Sequence, residues 1–536
     1  MDIRKLTAIA ILFFLAVSLS QITKPLIADE VYWPKVADGI QHTGAPSFSH
    51  SENQPTETPP FLPPLFPYYV ATMLSLGFPA VFIRFLSLIF VILTIPLVYF
   101  IGKKLAANKI IPHLAVIIYS ISPLVVQGGV LLDLDNSILT FLVALFFYTF
   151  IKFESNLTPK KYTIIGLLFG VLMLAKPTTP PVIIISIFLF YIFNRKIREA
   201  FKRSLIISLI GFIPFFIGSY IYSAVAKVPL FGSLLLAGYA YPKGVPLTSY
   251  LLNNVLYAGL RAHIFWIIPA LFLLLVYFLG SRIKLFRKSG RLELIDMFFI
   301  FVILLFIEYV SFGQSPWRFP KYFTPAMPLV ALLSAFAVFR YRDSIPKNPK
   351  LHIFSAAIIV AIHMALIPNP LLHSTSFIPA AKAATLYMMP LLAVFLINFA
   401  HSKKLKPAIL TSFLVTFVVT ALYLGILHAT AYNMSTTFYY GDYGMDSVVN
   451  FVKSNTGPNS LIIAPWDVGY GSGRKIYEAQ KELETAGCTV ALKRLGIYFA
   501  VLRGDWNGRY NPILFKCLKA NYNETNIGNY YLYKTG

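Results

Sequence analysis

The feature that most limits what this chain can become is its succession of long apolar runs. They are 6–22, 80–101, 110–126, 138–153, 162–175, 181–193, 205–226, 264–280, 297–312, 322–339, 353–367, 386–400 and 408–427. About 20 apolar residues cross a bilayer as a helix, at 1.5 Å rise per residue. Barrel strands would be about half as long and would alternate in polarity. The chain is 57% hydrophobic and 13% charged, with a mean hydropathy of +0.68. It therefore reads as an α-helical polytopic membrane protein of about 13 transmembrane helices, not a soluble globule. Runs 162–175 and 181–193 are short, which a tilt or a thinner bilayer accommodates.

The net charge of +24 invites a nucleic-acid reading, but its placement argues against one. Lys103-Lys104, the stretch 194–203, the stretch 281–291, Arg340-Tyr341-Arg342 and Lys403-Lys404 all fall on one side of the predicted spans. That is the positive-inside bias. A basic groove lined with stacking aromatics, which nucleic acid needs, is not evident. The N-terminus is placed in the cytoplasm and the C-terminus outside. The first run is followed by Lys24-Pro25 without a small-residue cleavage site, so it is read as a retained helix.

Residues 1–428 are predicted to form the transmembrane domain, with 23–64 as its first outer loop. The run 65–77 is too short to span and reads as interfacial or re-entrant. Residues 429–536 change character: Gly, Asn and Tyr are scattered through a polar stretch. There we expect helices at 446–454 and 474–486 and strands at 461–464, 497–502 and 530–533, a small extracytoplasmic α/β domain. Cys488 and Cys517 both lie in it, and the sequence leaves open whether they bond.

Charged residues gather at the outer ends of the spans. Asp29-Glu30 follows the first run directly; the plain alternative is a helix cap. Asp133 and Asp135 crowd a short outer turn, where a cap needs only one of them. Lys176 and Arg84 sit at outer ends and could merely snorkel to headgroups. Arg261 lies in a long outer loop. Arg318 and Lys321 stand among aromatics that would also suit an interfacial belt. Glu308 is a weaker candidate. His113, His263 and His363 show no ligand spacing. Acids and bases together on one face suit a substrate that carries a phosphate and a hydroxyl.

These residues resemble the motifs of polytopic GT-C glycosyltransferases, in the branch of protein O-mannosyltransferases and lipid A aminoarabinose transferases. Asp29-Glu30-Val31-Tyr32-Trp33 is similar to the branch's Asp-Glu followed by aromatics. Pro63-Pro64-Leu65, Arg84-Phe85-Leu86-Ser87, Asp135, Leu174-Ala175-Lys176 and Lys321-Tyr322 with Pro325 and Pro328 follow in the same order. Lys321 stands where relatives usually carry Arg, which removes bidentate phosphate geometry. Pro465-Trp466-Asp467-Val468-Gly469-Tyr470 resembles a stretch in the outer domain of monosaccharide-transferring relatives, or is simply a strand end and turn.

The resemblance implies a polyprenyl-phosphate-linked sugar as donor and a glycan, lipid or protein hydroxyl as acceptor, at the outer face of a cell membrane. It implies Asp29 as general base and Glu30 and Asp135 as further catalytic carboxylates. Asp133 would orient the acceptor or hold a divalent metal, and Lys176, Arg84, Arg261, Arg318 and Lys321 would supply donor-phosphate cations. One base and one leaving group imply inversion. Two rivals stand: oligosaccharyltransferase-like transfer of a lipid-linked glycan, and a lipid-linked-sugar transporter or flippase. A transporter would place ionisable residues at the bilayer midplane, whereas here they cluster at outer ends. The topology is testable directly. A reporter fused after Leu427 should read extracytoplasmic and one fused at Gly290 cytoplasmic; the same compartment for both would remove the 13-span scheme.

Overall fold

A computed structural model describes residues 2–23, 26, 28–46, 63–235, 269–312, 320–366, 388–430, 445–477, 488–503, 512–528 and 530–535. The helices in chain order begin with α1 (Ile3–Leu19), α2 (Tyr32–Thr43), α3 (Leu65–Ser75), α4 (Phe85–Leu105), α5 (Ile110–Ile121), α6 (Pro123–Gly128) and α7 (Thr140–Phe153). Next come α8 (Pro159–Ala175), α9 (Thr179–Phe193), α10 (Ile197–Ala226), α11 (Pro269–Ser289), α12 (Leu294–Phe312) and α13 (Met327–Tyr341). Then follow α14 (Pro349–Leu366), α15 (Met389–Ser402) and α16 (Leu405–Thr430). A helix thus lies at each position where the apolar runs predict one. Among the described residues, six are long and apolar enough to cross a membrane by length and composition.

The ends of these helices follow local chemistry. Chain leaving α5 restarts at Pro123, whose fixed φ suits a first helical position but not an interior one. α8 stops at Lys176, which is extended (φ −162°, ψ 114°) ahead of Pro177. The five residues Asp135–Leu139 form a π turn that leads into α7, with Leu139 N donating to Leu134 O at 3.0 Å. Such turns are uncommon and occur often at functional sites.

Two spans are central and two peripheral. The stretches Asp135–Phe153 and Tyr322–Ser344 are 67% and 78% buried, against 28% for Ile197–Ala226 and 22% for Pro349–Leu366. Phe147 of α7 meets Phe298 and Phe301 of α12 edge-on at 5.5 and 5.1 Å. α10 packs most closely on α8, where Gly166 and Gly170 face Gly211 and Pro214. A Cβ at Gly170 would stand 2.2 Å from Pro214 Cγ and 2.4 Å from Gly211 O. Small residues let helix backbones approach in lipid, where packing rather than water exclusion drives association.

The C-terminal region forms a five-stranded sheet in the order β2-β1-β3-β5-β4. The strands are β1 (Leu461–Ile463), β2 (Lys475–Ile476), β3 (Ile497–Arg503), β4 (Glu524–Ile527) and β5 (Tyr530–Lys534). β1 is parallel to β2 and β3; β5 is antiparallel to β3 and β4. Helices α17 (Met445–Asn455), α18 (Trp466–Ser472), α19 (Cys488–Arg494) and α20 (Pro512–Asn521) accompany it. One expectation fails here. Residues 475–476, predicted to open a helix, pair with β1 instead, so tertiary pairing overrides their local pattern; 478–487 lie outside the described residues. Cys517 is disulfide-bonded, the chain has only two cysteines, and α19 packs on the helix that carries Cys517.

The close crossing generates a prediction. Gly170→Val should destabilise the protein by about 1–3 kcal/mol through overpacking, read as a lower unfolding midpoint in detergent. Gly280→Val, where a Cβ meets nothing within 4 Å, is the control. Equal midpoints for the two variants would refute the tight crossing.

Candidate active site

Side-chain contacts bring the end of α1, the start of α4, the start of α7, the ends of α8 and α12 and the start of α9 together at one end of the bundle. The site is built there. Arg84, just ahead of α4, is fully buried, as is Glu30 in the 3-10 turn Ala28–Val31. Arg84 Nε donates to Glu30 Oε1 at 2.7 Å and Nη2 to Oε2 at 2.5 Å. Nη1 donates to the carbonyl of Gln21, two residues beyond α1, at 2.8 Å. Leu132 N completes the group, donating to Glu30 Oε1 at 2.8 Å. One bidentate ion pair therefore ties the first loop, the end of α1, the start of α4 and the turn before α7.

The capping alternative for Asp29-Glu30 does not hold for Glu30. α2 is preceded by Val31 with no side-chain cap, and the Glu30 carboxylate is turned to Arg84. α2 itself lies within the stretch expected to be loop. Its Trp33 packs edge-on against Phe66 of α3 at 4.8 Å. The aromatic motif after Asp29-Glu30 is thus clamped to the element that follows Pro63-Pro64.

A second pair lies alongside. Lys176 Nζ stands 2.5 Å from Asp135 Oδ1 and 4.3 Å from the centre of the Tyr322 ring. Its side chain is 12% exposed and that of Asp135 4%. The π turn holds Asp135: its amide donates to Asp133 Oδ1 at 2.9 Å, and Thr140 Oγ1 donates to its carbonyl at 2.6 Å. Asp133 is itself buried; its amide donates to Ser87 Oγ at 3.2 Å and its carbonyl accepts from Ser137 Oγ. Thr324 Oγ1 donates to Asn136 Oδ1 at 3.1 Å. The Glu308 side chain hydrogen-bonds Thr178 and lies within Coulombic reach of Lys176 and Asp135.

Two expected roles need revision on this geometry. Arg84, read as a phosphate cation, is sealed against Glu30 and Gln21. Glu30, read as catalytic, accepts from Arg84 and Leu132 with no exposed surface. Asp29 lies in the 3-10 turn beside Glu30; its side chain is outside the described residues, as is that of Lys321. Arg261 and Arg318 also fall outside them. Among the described residues no three His, Cys, Asp or Glu side chains converge as a metal set. Glu30 and Asp135 each meet a cation instead, which does not make the oxygen cage that a hard divalent ion takes.

The sequence reading missed several contributors. Ser87 closes the Arg84-Phe85-Leu86-Ser87 motif, and its spacing was the available signal. Tyr322 follows Lys321 in another quoted motif. Trp466-Asp467-Val468-Gly469-Tyr470, expected as a strand end and turn or as a family-like stretch, instead forms helix α18, which packs directly on the Ala28–Val31 turn.

Residues 62–220 match the family model described as dolichyl-phosphate-mannose-protein mannosyltransferase. Arg84, Asp133, Asp135 and Lys176 fall inside that match; Asp29 and Glu30 precede it. No curated protein sequence matches the chain. Among solved structures, ArnT from Cupriavidus metallidurans bound to undecaprenyl phosphate is similar with a TM-score of 0.58 at 13% identity. That comparison covers 99% of this chain and 97% of ArnT. ArnT of the same organism in the apo state gives 0.57 at 13% identity, with the same coverage. At 13% identity the likeness to ArnT is one of fold, and the mannosyltransferase model matches residues 62–220 alone.

The buried pair generates a prediction. Removing one partner strands a charge, so Glu30→Gln or Arg84→Met should each cost about 3–5 kcal/mol. Glu30→Gln with Arg84→Met should cost clearly less than the sum, measured as unfolding midpoints in a double-mutant cycle. Additive losses would show that the pair is not coupled.

Proposed function

We propose that the protein transfers a sugar from a polyprenyl-phosphate donor to an acceptor hydroxyl at the outer face of a cell membrane, with inversion. The observation that carries this reading is the Lys176–Asp135 pair at the outer end of the bundle. It sets a partly open cation beside a turn that also bears carboxylates. The likeness to ArnT, solved with undecaprenyl phosphate, supports a lipid-phosphate ligand for this fold.

Phosphate is already a good leaving group, so the donor needs charge stabilisation more than a general acid. Lys176 supplies it. Its ammonium has three donors; one meets Asp135, and the others remain for phosphate oxygens. Asp135 and the Tyr322 ring hold the ammonium in place. Asp29 is the general base that takes the acceptor proton as the hydroxyl attacks. Glu30 and Arg84 serve as positioning residues: they fix the turn that carries Asp29. Asp133 shapes the π turn, and Glu308 borders Lys176. The acceptor is a glycan, a lipid or a protein, and residues 429–536 form the extracytoplasmic domain beside it.

Asp29→Asn keeps shape but cannot take the proton, so turnover should fall by about 10²–10⁴ with donor binding retained. Lys176→Ala should weaken both donor affinity and turnover, because its charge acts on the phosphate in ground and transition states. The measurements are transfer rate and donor affinity on purified variants with a lipid-linked monosaccharide. Normal turnover by Asp29→Asn would reject the base, and transfer only from a lipid-linked oligosaccharide would favour the oligosaccharyltransferase alternative.

A further inference from the structure

At the opposite end of the bundle, we propose a binding site for an anionic phospholipid, with the lipid phosphate seated among Lys104, Lys196 and Arg291. A cavity of about 780 Å³ lies there, walled by the ends of α4 and α9 and by the segment leading into α12. Two carboxylates line it, and both are engaged. Glu154 accepts from Tyr191 Oη at 2.7 Å and meets Arg203 at 3.3 Å; Glu293 meets Arg282 at 3.0 Å. Lys104, Lys196 and Arg291 line the same cavity, and among the described residues none has a carboxylate within ion-pair distance. Three cations without an ion-pair partner among the described residues thus line one cavity, and an anion seated between them would supply one.

The wall is a built one. Asn194 Oδ1 accepts from Leu292 N at 2.8 Å and Asn194 Nδ2 donates to Leu292 O at 3.2 Å, which joins the end of α9 to the approach to α12. Leu105, Phe190, Ile295 and Phe336 make the rest of the lining apolar. Leu292 also lines a second, almost wholly apolar furrow of about 200 Å³ beside α11 and α12. Phe193, Ile283 and Ile303 of that furrow are exposed. A cationic chamber with an apolar furrow next to it fits a molecule with a phosphate head and an acyl tail. Inorganic phosphate or a nucleotide would leave the furrow unused. The basic loops place this end on the cytoplasmic side, where anionic lipid attracts such side chains by about 1 kcal/mol each. The site is separate from the proposed donor site and does not depend on it.

Native mass spectrometry of the full-length protein, delipidated stepwise in detergent with phosphatidylglycerol or phosphatidylcholine added back, tests the proposal. The unaltered protein should retain one phosphatidylglycerol in preference to phosphatidylcholine, and excess inorganic phosphate should not displace it. Lys196→Gln and Arg291→Gln should each weaken retention about fivefold, and the pair together more. Lys403→Gln with Lys404→Gln, also at a basic loop but not lining the cavity, should retain the lipid as the unaltered protein does. These are exposed side chains, and an unfolding midpoint on each single variant confirms a folded sample. Equal retention by the cavity variants, equal retention of both lipids, or displacement by inorganic phosphate would overturn the assignment.

Discussion

The Glu30–Arg84 pair is the constraint on which the candidate site rests. Neither side chain reaches solvent, and an ion in such surroundings persists only when paired and hydrogen-bonded. Arg84 uses its planar fork on both carboxylate oxygens and has Nη1 left for Gln21. That last bond fixes the direction in which the chain leaves α1. Leu132 N on Glu30 fixes the turn that delivers Asp133 and Asp135. Four stretches, more than a hundred residues apart at their extremes, are located relative to one another by two side chains. A lysine at position 84 would carry the charge but not the fork, and so could not set three directions at once.

Lys176–Asp135 is as short as the Arg84–Glu30 pair, but it is built differently. It keeps some contact with solvent, and its cation is a point charge on a flexible stem. An ammonium has three N–H donors, so it can turn another one to a second acceptor while it keeps Asp135. The backbone beneath it is stiff: α8 ends at Lys176 ahead of Pro177, and the glycine crossing with α10 fixes where α8 lies. The rigid pair fixes the turns around it, and the looser pair is the one that keeps contact with solvent.

The transmembrane helices were legible because about 20 apolar residues bounded by basic loops admit few other structures. The positions of Glu30, Arg84, Asp135 and Lys176 at one end followed from the same reasoning. Their pairing did not, since no local pattern links residue 30 to residue 84 rather than to a phosphate. α2 was less visible: Pro34 and Gly39 argue against a helix, although Trp33, Val36, Ala37 and Ile40 keep helical spacing on one face. In the C-terminal region the central strands carried a clear apolar signal. β2 did not, because two residues paired to a parallel neighbour have no periodicity to read.

The C-terminal region bears on the site through α18. Val468 of that helix and Val31 of the 3-10 turn are both fully buried in one continuous apolar core, which also takes in Val448 and Phe66. A four-residue 3-10 turn has little stability of its own. Here it is held from one side by the Arg84 guanidinium and from the other by α18. Asp467 sits in the first turn of α18, where negative charge favours the helix N-terminus, and its carboxylate accepts from Val468 N at 2.9 Å. Displacing α18 would therefore expose Val31 and loosen the turn that carries Asp29, even with the ion pair intact. On the proposed reading, an acceptor that leaned on this part of the C-terminal region would act, through the packing of α18 on the turn, on the position of Asp29.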